Sequence, residues 1–263
     1  GNTLLLFDPT DELTPFGRIP EYLRTGELLL VGEDGGSLVS APAGRPADNG
    51  VDRLVSVKLA ADGSLAGEVR ESWRGVWASR EREKVNRADQ SQDLKRPVEQ
   101  RLAGAVANYR IESAAVANRA TVDKPFEWQY SFTARDYAKV TGDLLMVRPR
   151  VLGSKSNAFL ETGEPRVNAV AFDVTHADSD VIRLEMPPGH EVESLPEAVN
   201  VDIGFAAYRS RTRVEGRFIV YERSFEQKEL DLPLERVGSL RDLYAAIERD
   251  ERSLAVLNKA ATR

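Results

Sequence analysis

Strict alternation of apolar and polar residues constrains this chain more than any other feature. Phe126, Trp128, Tyr130 and Phe132 are separated by Glu127, Gln129 and Ser131, with Thr133 following, so an extended backbone puts the aromatic rings on one face and the polar groups on the other. The same period of two runs through Val55, Val57 and Leu59, through Val170, Phe172 and Val174, through Ile182, Leu184 and Met186, and through Val199, Val201, Ile203 and Phe205. Strands with one buried and one wetted face belong to antiparallel sheets. Turn chemistry separates them: Glu33-Asp34-Gly35-Gly36 and Asp62-Gly63 read as hairpin turns, and Pro187-Pro188-Gly189 as a sharp reversal.

Two regions break this period. Ser79 to Gln92 is highly charged, and Leu94, Val98, Leu102 and Ala105 then recur at helical spacing. Pro97 divides the region into two helices, with a break between Ser91 and Arg96, because a proline inside a helix removes a donor and restricts the residue before it. Near the end of the chain, Leu240, Leu243, Tyr244 and Ile247 form one apolar stripe. Ser239 precedes it, with Asp242 at the spacing of a capping box, and Leu254 and Val256 read as a short closing strand. The fold class is therefore α+β and mainly antiparallel β: a first α+β segment with one or two helices, followed by a β-sandwich-like domain with a C-terminal helix. The division between these parts is expected where the helical pattern ends, giving residues 26–105 and 106–263.

Composition removes several functions. The chain has 263 residues, 41% of them apolar, enough for more than one core. A net charge of −6 and a pI near 5.3 argue against a nucleic-acid surface, which needs clustered Lys and Arg. Apolar runs such as Leu28 to Val31 are far shorter than the ~20 residues of a membrane-spanning helix, so no membrane insertion is expected. The absence of Cys excludes a disulfide framework, a thiolate metal site and a Cys nucleophile within these residues. No cofactor motif is present: Gly32 to Gly36 lacks the Gly-Lys-Ser/Thr ending of a phosphate loop and reads as a hairpin turn.

Other constellations carry two readings each. Asp173, His176, Asp178 and Asp180 could ligate a divalent cation, but they match no standard spacing, and a polar hairpin tip between Val174 and Val181 explains them equally; no metal site is assigned. His190 reads as a turn residue after Pro187-Pro188-Gly189. Arg209, Arg211 and Arg213, with Arg217 nearby, share one strand face and fit either an anion site or a solvated face neutralised by acids such as Glu215. The aromatic row at 126–132 fits either a core or a platform that stacks on sugars.

The opening of the chain carries a resemblance. Leu4-Leu5-Leu6-Phe7-Asp8-Pro9-Thr10, the Pro15-Phe16-Gly17 turn, Ile19-Pro20 and the Leu23 to Val31 segment are similar to the region that follows the papain-type core in bacterial transglutaminase-like proteins. Leu184, Pro187, Pro188, Gly189, Val192 and Leu195-Pro196 resemble a stretch near the end of the same proteins. The chain opens on Gly1 inside a strand-like run and reads as a piece of a longer protein. The resemblance implies that residues 1–25 are the last strand and exit segment of a missing core, and that Asp8 is the Asp of a Cys, His, Asp triad. That Asp would orient the His that activates the Cys. It further implies an upstream core and an N-terminal β domain as partners, a protein or cell-envelope substrate, and an exported, periplasmic bacterial setting. The chain itself is then a noncatalytic accessory region that positions the core. A different reading makes it a glycan- or protein-binding module or structural scaffold, with Asp8 only a turn residue.

Overall fold

The computed structural model describes residues 6–8, 10–20, 23, 27–32, 35–41, 44–88, 94–156 and 167–260. In chain order the first half contains β1 (Glu27–Gly32), β2 (Gly35–Ser40), β3 (Gly50–Leu59), β4 (Leu65–Arg74), α1 (Gly75–Ala88), α2 (Lys95–Ala103), β5 (Tyr109–Ala117) and β6 (Phe126–Ala134). The second half contains β7 (Lys139–Thr141), β8 (Leu144–Val147), β9 (Val170–Ala171), β10 (His176–Glu185), β11 (His190–Ser194) and β12 (Val199–Asp202). It continues with β13 (Ala206–Glu215), β14 (Phe218–Gln227), β15 (Asp231–Leu232), α3 (Val237–Arg252) and β16 (Ala255–Lys259). The class is α+β and mostly antiparallel, with a C-terminal helix, as the alternation predicts.

The frame is an eight-stranded sheet in the order β12-β13-β14-β10-β3-β4-β6-β5. Its two four-stranded antiparallel halves meet at one parallel ladder, where β3 runs beside β10 from Asp52↔Ser179 to Lys58↔Glu185. The expected division at residues 105 and 106 falls inside the first half, between α2 and β5. β3 and β4, which precede it, pair with β10 and β6, which follow it.

One face of the sheet is covered. The four-stranded sheet β11-β16-β8-β7 packs Leu145, Val147, Ala255 and Leu257 against Val55, Val57, Ile182 and Leu184. The aromatic row of β6 lies in this core, with Phe126 and Phe132 wholly buried and Trp128 and Tyr130 at 1% exposure. This row leaves no aromatic platform for stacking on sugars. The stripe Leu240, Leu243, Tyr244 and Ile247 of α3 covers the other end of the sheet, against Phe205, Tyr208 and Phe225.

α1 seats on the sheet with few apolar groups because two charged side chains face inward. Ala78, Glu81, Arg82 and Val85 follow one helical face, and all four are buried. Arg82 donates through Nη2 to the carbonyls of Thr121 (2.8 Å) and Lys124 (2.6 Å), which ties the helix to the β5–β6 connection. Pro97 lies in the first turn of α2, where its missing N–H has no helical partner to lose. Asn49 joins three elements: its Oδ1 accepts from the Val76 N–H at 2.9 Å, its Nδ2 donates to the Thr175 carbonyl at 3.1 Å, and its carbonyl accepts from the Ala177 N–H at 3.0 Å.

Several expectations change. Residues 170–174 form only the two-residue strand β9, paired with β15, because Phe172 turns to stack on Phe205, ring centroids 5.5 Å apart. Ser239 is not a cap: a 3₁₀ turn at Leu234–Arg236 runs straight into α3, which starts two residues earlier, at Val237. In β16 the buried face is Ala255 and Leu257, so Leu254, just before it, is exposed. Residues 33 and 34, between β1 and β2, and the expected break at 91–93 lie outside the described residues. Among the described residues no helix is long and apolar enough to cross a membrane.

Candidate functional site

Leu4, Leu5 and Pro9 lie outside the described residues, and Leu6 to Asp8 are not in a strand. The Asp8 carboxylate accepts from the Thr10 N–H (2.8 Å) and the Thr10 hydroxyl (2.7 Å), an Asx turn that holds its side chain at the head of residues 10–20. Phe7 and Phe16 stack across this turn with centroids 4.9 Å apart. Downstream, Ile19 and Pro20 are buried, and Ser79 of α1 donates to the Leu13 carbonyl at 2.8 Å. The segment therefore lies on the body of the fold. An open concavity of about 410 Å³ separates it from Asn49 and the first turn of α1.

The densest ionisable cluster is elsewhere, inside the large sheet. Charged residues stand at inward positions of four neighbouring strands: Glu71 on β4, Arg53 on β3, Asp178 and Asp180 on β10, and Arg223 on β14. Arg53 donates from Nε to Glu71 at 2.8 Å and from Nη1 to Asp180. Arg223 donates from Nε to the other oxygen of Asp180 at 2.8 Å and from Nη1 to Glu251 of α3 at 2.8 Å. Its Nη2 reaches the Gly153 carbonyl. Gly153 has φ +75°, and a Cβ there would fall 2.0 Å from Arg53 Nη1, so the guanidinium occupies the space a side chain would need. Ser154 Oγ donates to Glu251 at 2.6 Å, and Lys155 pairs with Asp178.

The network continues outward on both sides. Glu71 also accepts from Tyr130 (3.2 Å) and Trp73 (3.1 Å) and pairs with Arg101 of α2 (3.2 Å). Arg101 reaches Glu81, which accepts from the Trp128 indole at 2.9 Å. Toward α3, Tyr208 and Tyr221 both donate to Asp250 Oδ2, Tyr221 at 2.6 Å.

Burial alone would push the carboxyls up, but their cations outweigh it. Arg223 and Arg53 hold Asp180 down to about 2, and Arg53 and Arg101 hold Glu71 below the carboxylate range. Burial raises the Tyr130, Tyr208 and Tyr221 hydroxyls, so they stay protonated donors. The arrangement is a charge clamp with its acceptors and donors matched. Its groups are pushed away from neutrality, the opposite of what acid–base catalysis at pH 7 requires.

The clamp gives a pH dependence with a definite sign. Asp180 is depressed from 3.8 to about 2, so its contribution is fully present above pH 4 and is lost as pH falls through 2. About 2 kcal/mol of stability should disappear across that window. Urea midpoints measured at pH 5 and pH 2.5 check it, and equal midpoints would refute it.

The metal candidates named from the sequence resolve into this clamp. His176, Asp178 and Asp180 do share a face, but of the central strand β10 and not of a hairpin tip. Their carboxylates are engaged by Lys155, Arg53 and Arg223, and among the described residues no group of three or more His, Asp or Glu converges as a metal site. His176 packs between Trp77 and Phe225, and burial lowers its pKa. Arg211 and Arg213 pair with Glu222, Arg213 also with Glu215, and Arg209 with Asp202. That face is a cross-strand ladder of opposite charges. His190 opens β11 after the turn.

Residues 143–257 match the model of a family described as a domain of unknown function with a solved structure, DUF3858. The match includes Asp180, Arg223 and Glu251 but not Arg53 or Glu71, so the clamp joins the matched region to the strands before it. No curated protein matches the chain. Among solved structures, one described as "a putative protease" from Parabacteroides distasonis is similar, at 12% identity and a TM-score of 0.37. The similarity covers 47% of this chain and 24% of that one.

Proposed function

We propose that this chain is the noncatalytic C-terminal accessory region of a transglutaminase-like protein, where it positions the segment bearing Asp8 against a core that supplies Cys and His. The observation that carries this reading is the fastening of residues 10–20. The segment leads from the Asx turn at Asp8 to buried Ile19 and Pro20, with the Leu13 carbonyl held by Ser79. A body stiffened by a buried charge clamp suits a positioning role, because catalytic geometry tolerates little displacement. The lack of Cys within the chain supports a noncatalytic assignment, and the DUF3858 match begins well after residues 1–25. On this reading the parent is an exported bacterial protein acting on a protein or cell-envelope substrate.

The test uses the longer polypeptide that includes the upstream Cys and His. Peptide hydrolysis and amine incorporation are measured for it and for Asp8→Ala. Loss of at least about a hundredfold in kcat with the fold retained is expected for a group that orients the catalytic His. Equal activity in the two proteins, or an upstream sequence without Cys and His, would exclude this reading.

A further inference from the structure

Half of the large apolar side chains exposed among the described residues fall between residues 7 and 38: Phe7, Phe16, Leu29, Leu30, Val31 and Leu38. Four of them sit on the β1–β2 ribbon, whose strands, among the described residues, pair only with each other. Leu29 lies opposite Leu38 on one face, beside Val31, and these three are 64–74% exposed. The other face carries exposed Leu30 with the half-buried pair Leu28 and Val39. The ribbon is thus apolar on both sides, and an isolated two-stranded hairpin is marginal in water. Such a ribbon calls for a covering surface.

Area and charge select the occupant. A ribbon of six-residue strands is about 20 Å long and 10 Å wide, so each face offers roughly 200 Å². A stable association of separate molecules needs about 800 Å² from each partner, which disfavours a second copy of the chain. Glu33 and Asp34 join the strands in sequence and no Lys or Arg lies within 27–40, which disfavours an anionic lipid surface. A small two-faced ribbon suffices when its receptor is tethered, because the effective concentration is then in the millimolar range. We infer that the β1–β2 ribbon inserts into an apolar cleft of the upstream core of the same polypeptide, with Phe7 and Phe16 extending the contact along the exit segment. This inference rests on the proposed function for the existence of that core, and it makes the ribbon the latch that fixes the Asp8 segment.

The test compares amide exchange of peptides spanning residues 27–40 in the 263-residue chain and in the longer protein. Exchange at least tenfold slower in the longer protein is expected. The double substitution Leu29→Asn, Leu38→Asn should abolish that protection without shifting the melting of the chain alone, since both side chains are exposed. Equal exchange in both proteins overturns the inference. So does protection in the 263-residue chain that rises with its concentration as the mass doubles, which would assign the ribbon to a second copy, or co-sedimentation with phosphatidylcholine vesicles, which would assign it to lipid. Protection of the ribbon by an upstream domain without Cys or His would sink the catalytic reading and leave the docking intact. An Asp8-dependent activity with an unprotected ribbon would do the reverse.

Discussion

Replacing Arg223 with methionine is expected to destabilise the protein by about 3–5 kcal/mol, because it removes the cation that bridges two buried carboxylates. Arg223 is 3% exposed overall, its side chain fully enclosed, and it bridges Asp180 on β10 to Glu251 on α3. Asp180 would keep Arg53, and Glu251 would keep the Ser154 hydroxyl and the Lys155 N–H as donors with the charge of Arg150 nearby, while losing its direct ion pair. A companion variant separates the penalty of orphaned charge from loss of packing. Changing Arg223 and Glu251 together to apolar residues of similar size should recover much of the loss, since Asp180 keeps Arg53 and buried ion pairs and apolar isosteres are often close in energy. Urea unfolding followed by circular dichroism reads both. A single variant within 1 kcal/mol of the parent would show that the clamp is solvated.

Trp128→Ala is expected to cost a comparable 3–5 kcal/mol, the usual range for emptying a buried aromatic site. Trp128 is the largest wholly enclosed side chain among the described residues, and Phe126 meets it edge-on at 5.9 Å. The Arg101 guanidinium lies 4.8 Å from its ring centroid, and its indole N–H satisfies Glu81. Trp128→Phe retains most of the volume and removes the donor, so about 1–2 kcal/mol should remain as the cost of the lost hydrogen bond to Glu81, which keeps Arg101 and Lys84. Thermal melting of the two variants against the parent distinguishes the contributions. Equal losses would mean that the hydrogen bond, and not the ring, holds α1 to the sheet.

The sheet was legible because alternation reports directly on a half-buried strand. β3, β6 and β10 bury the parity their apolar residues announce. What alternation did not announce was that charged residues continue the same inward rows: Arg53 follows Val51 and precedes Val55, Glu71 follows Val69, and Arg223 lies between Tyr221 and Phe225. Charges at inward positions of several strands are themselves a signal, because a buried charge requires a partner. The local pattern around Asp178 and Asp180 fits a metal site or a polar hairpin tip because it cannot show partners distant in sequence, such as Arg53, 127 residues from Asp180. Strand order is a tertiary property, and the parallel neighbour of β3 cannot be found from local pattern. α1 is expected from its charged run alone, since its buried face contains Glu81 and Arg82 and so lacks an apolar stripe. The anchorage of residues 10–20 through Ser79 comes from a helix no local signal connects to them.

The parallel ladder between β3 and β10 sets an order of events during synthesis. β3, β4, β6 and β5 can assemble as a four-stranded antiparallel sheet from residues 50–134, but the free flank of β3 stays unpaired until residues 176–185 emerge. For that interval the chain presents an open strand edge with Arg53 unmatched to Asp180, and open edges recruit other strands. Closing so distant a contact is slow relative to local pairing. The charge near the start of that edge, held by Glu71 of β4, therefore stands in place before the fold is complete and disfavours an apolar strand where β10 will pair.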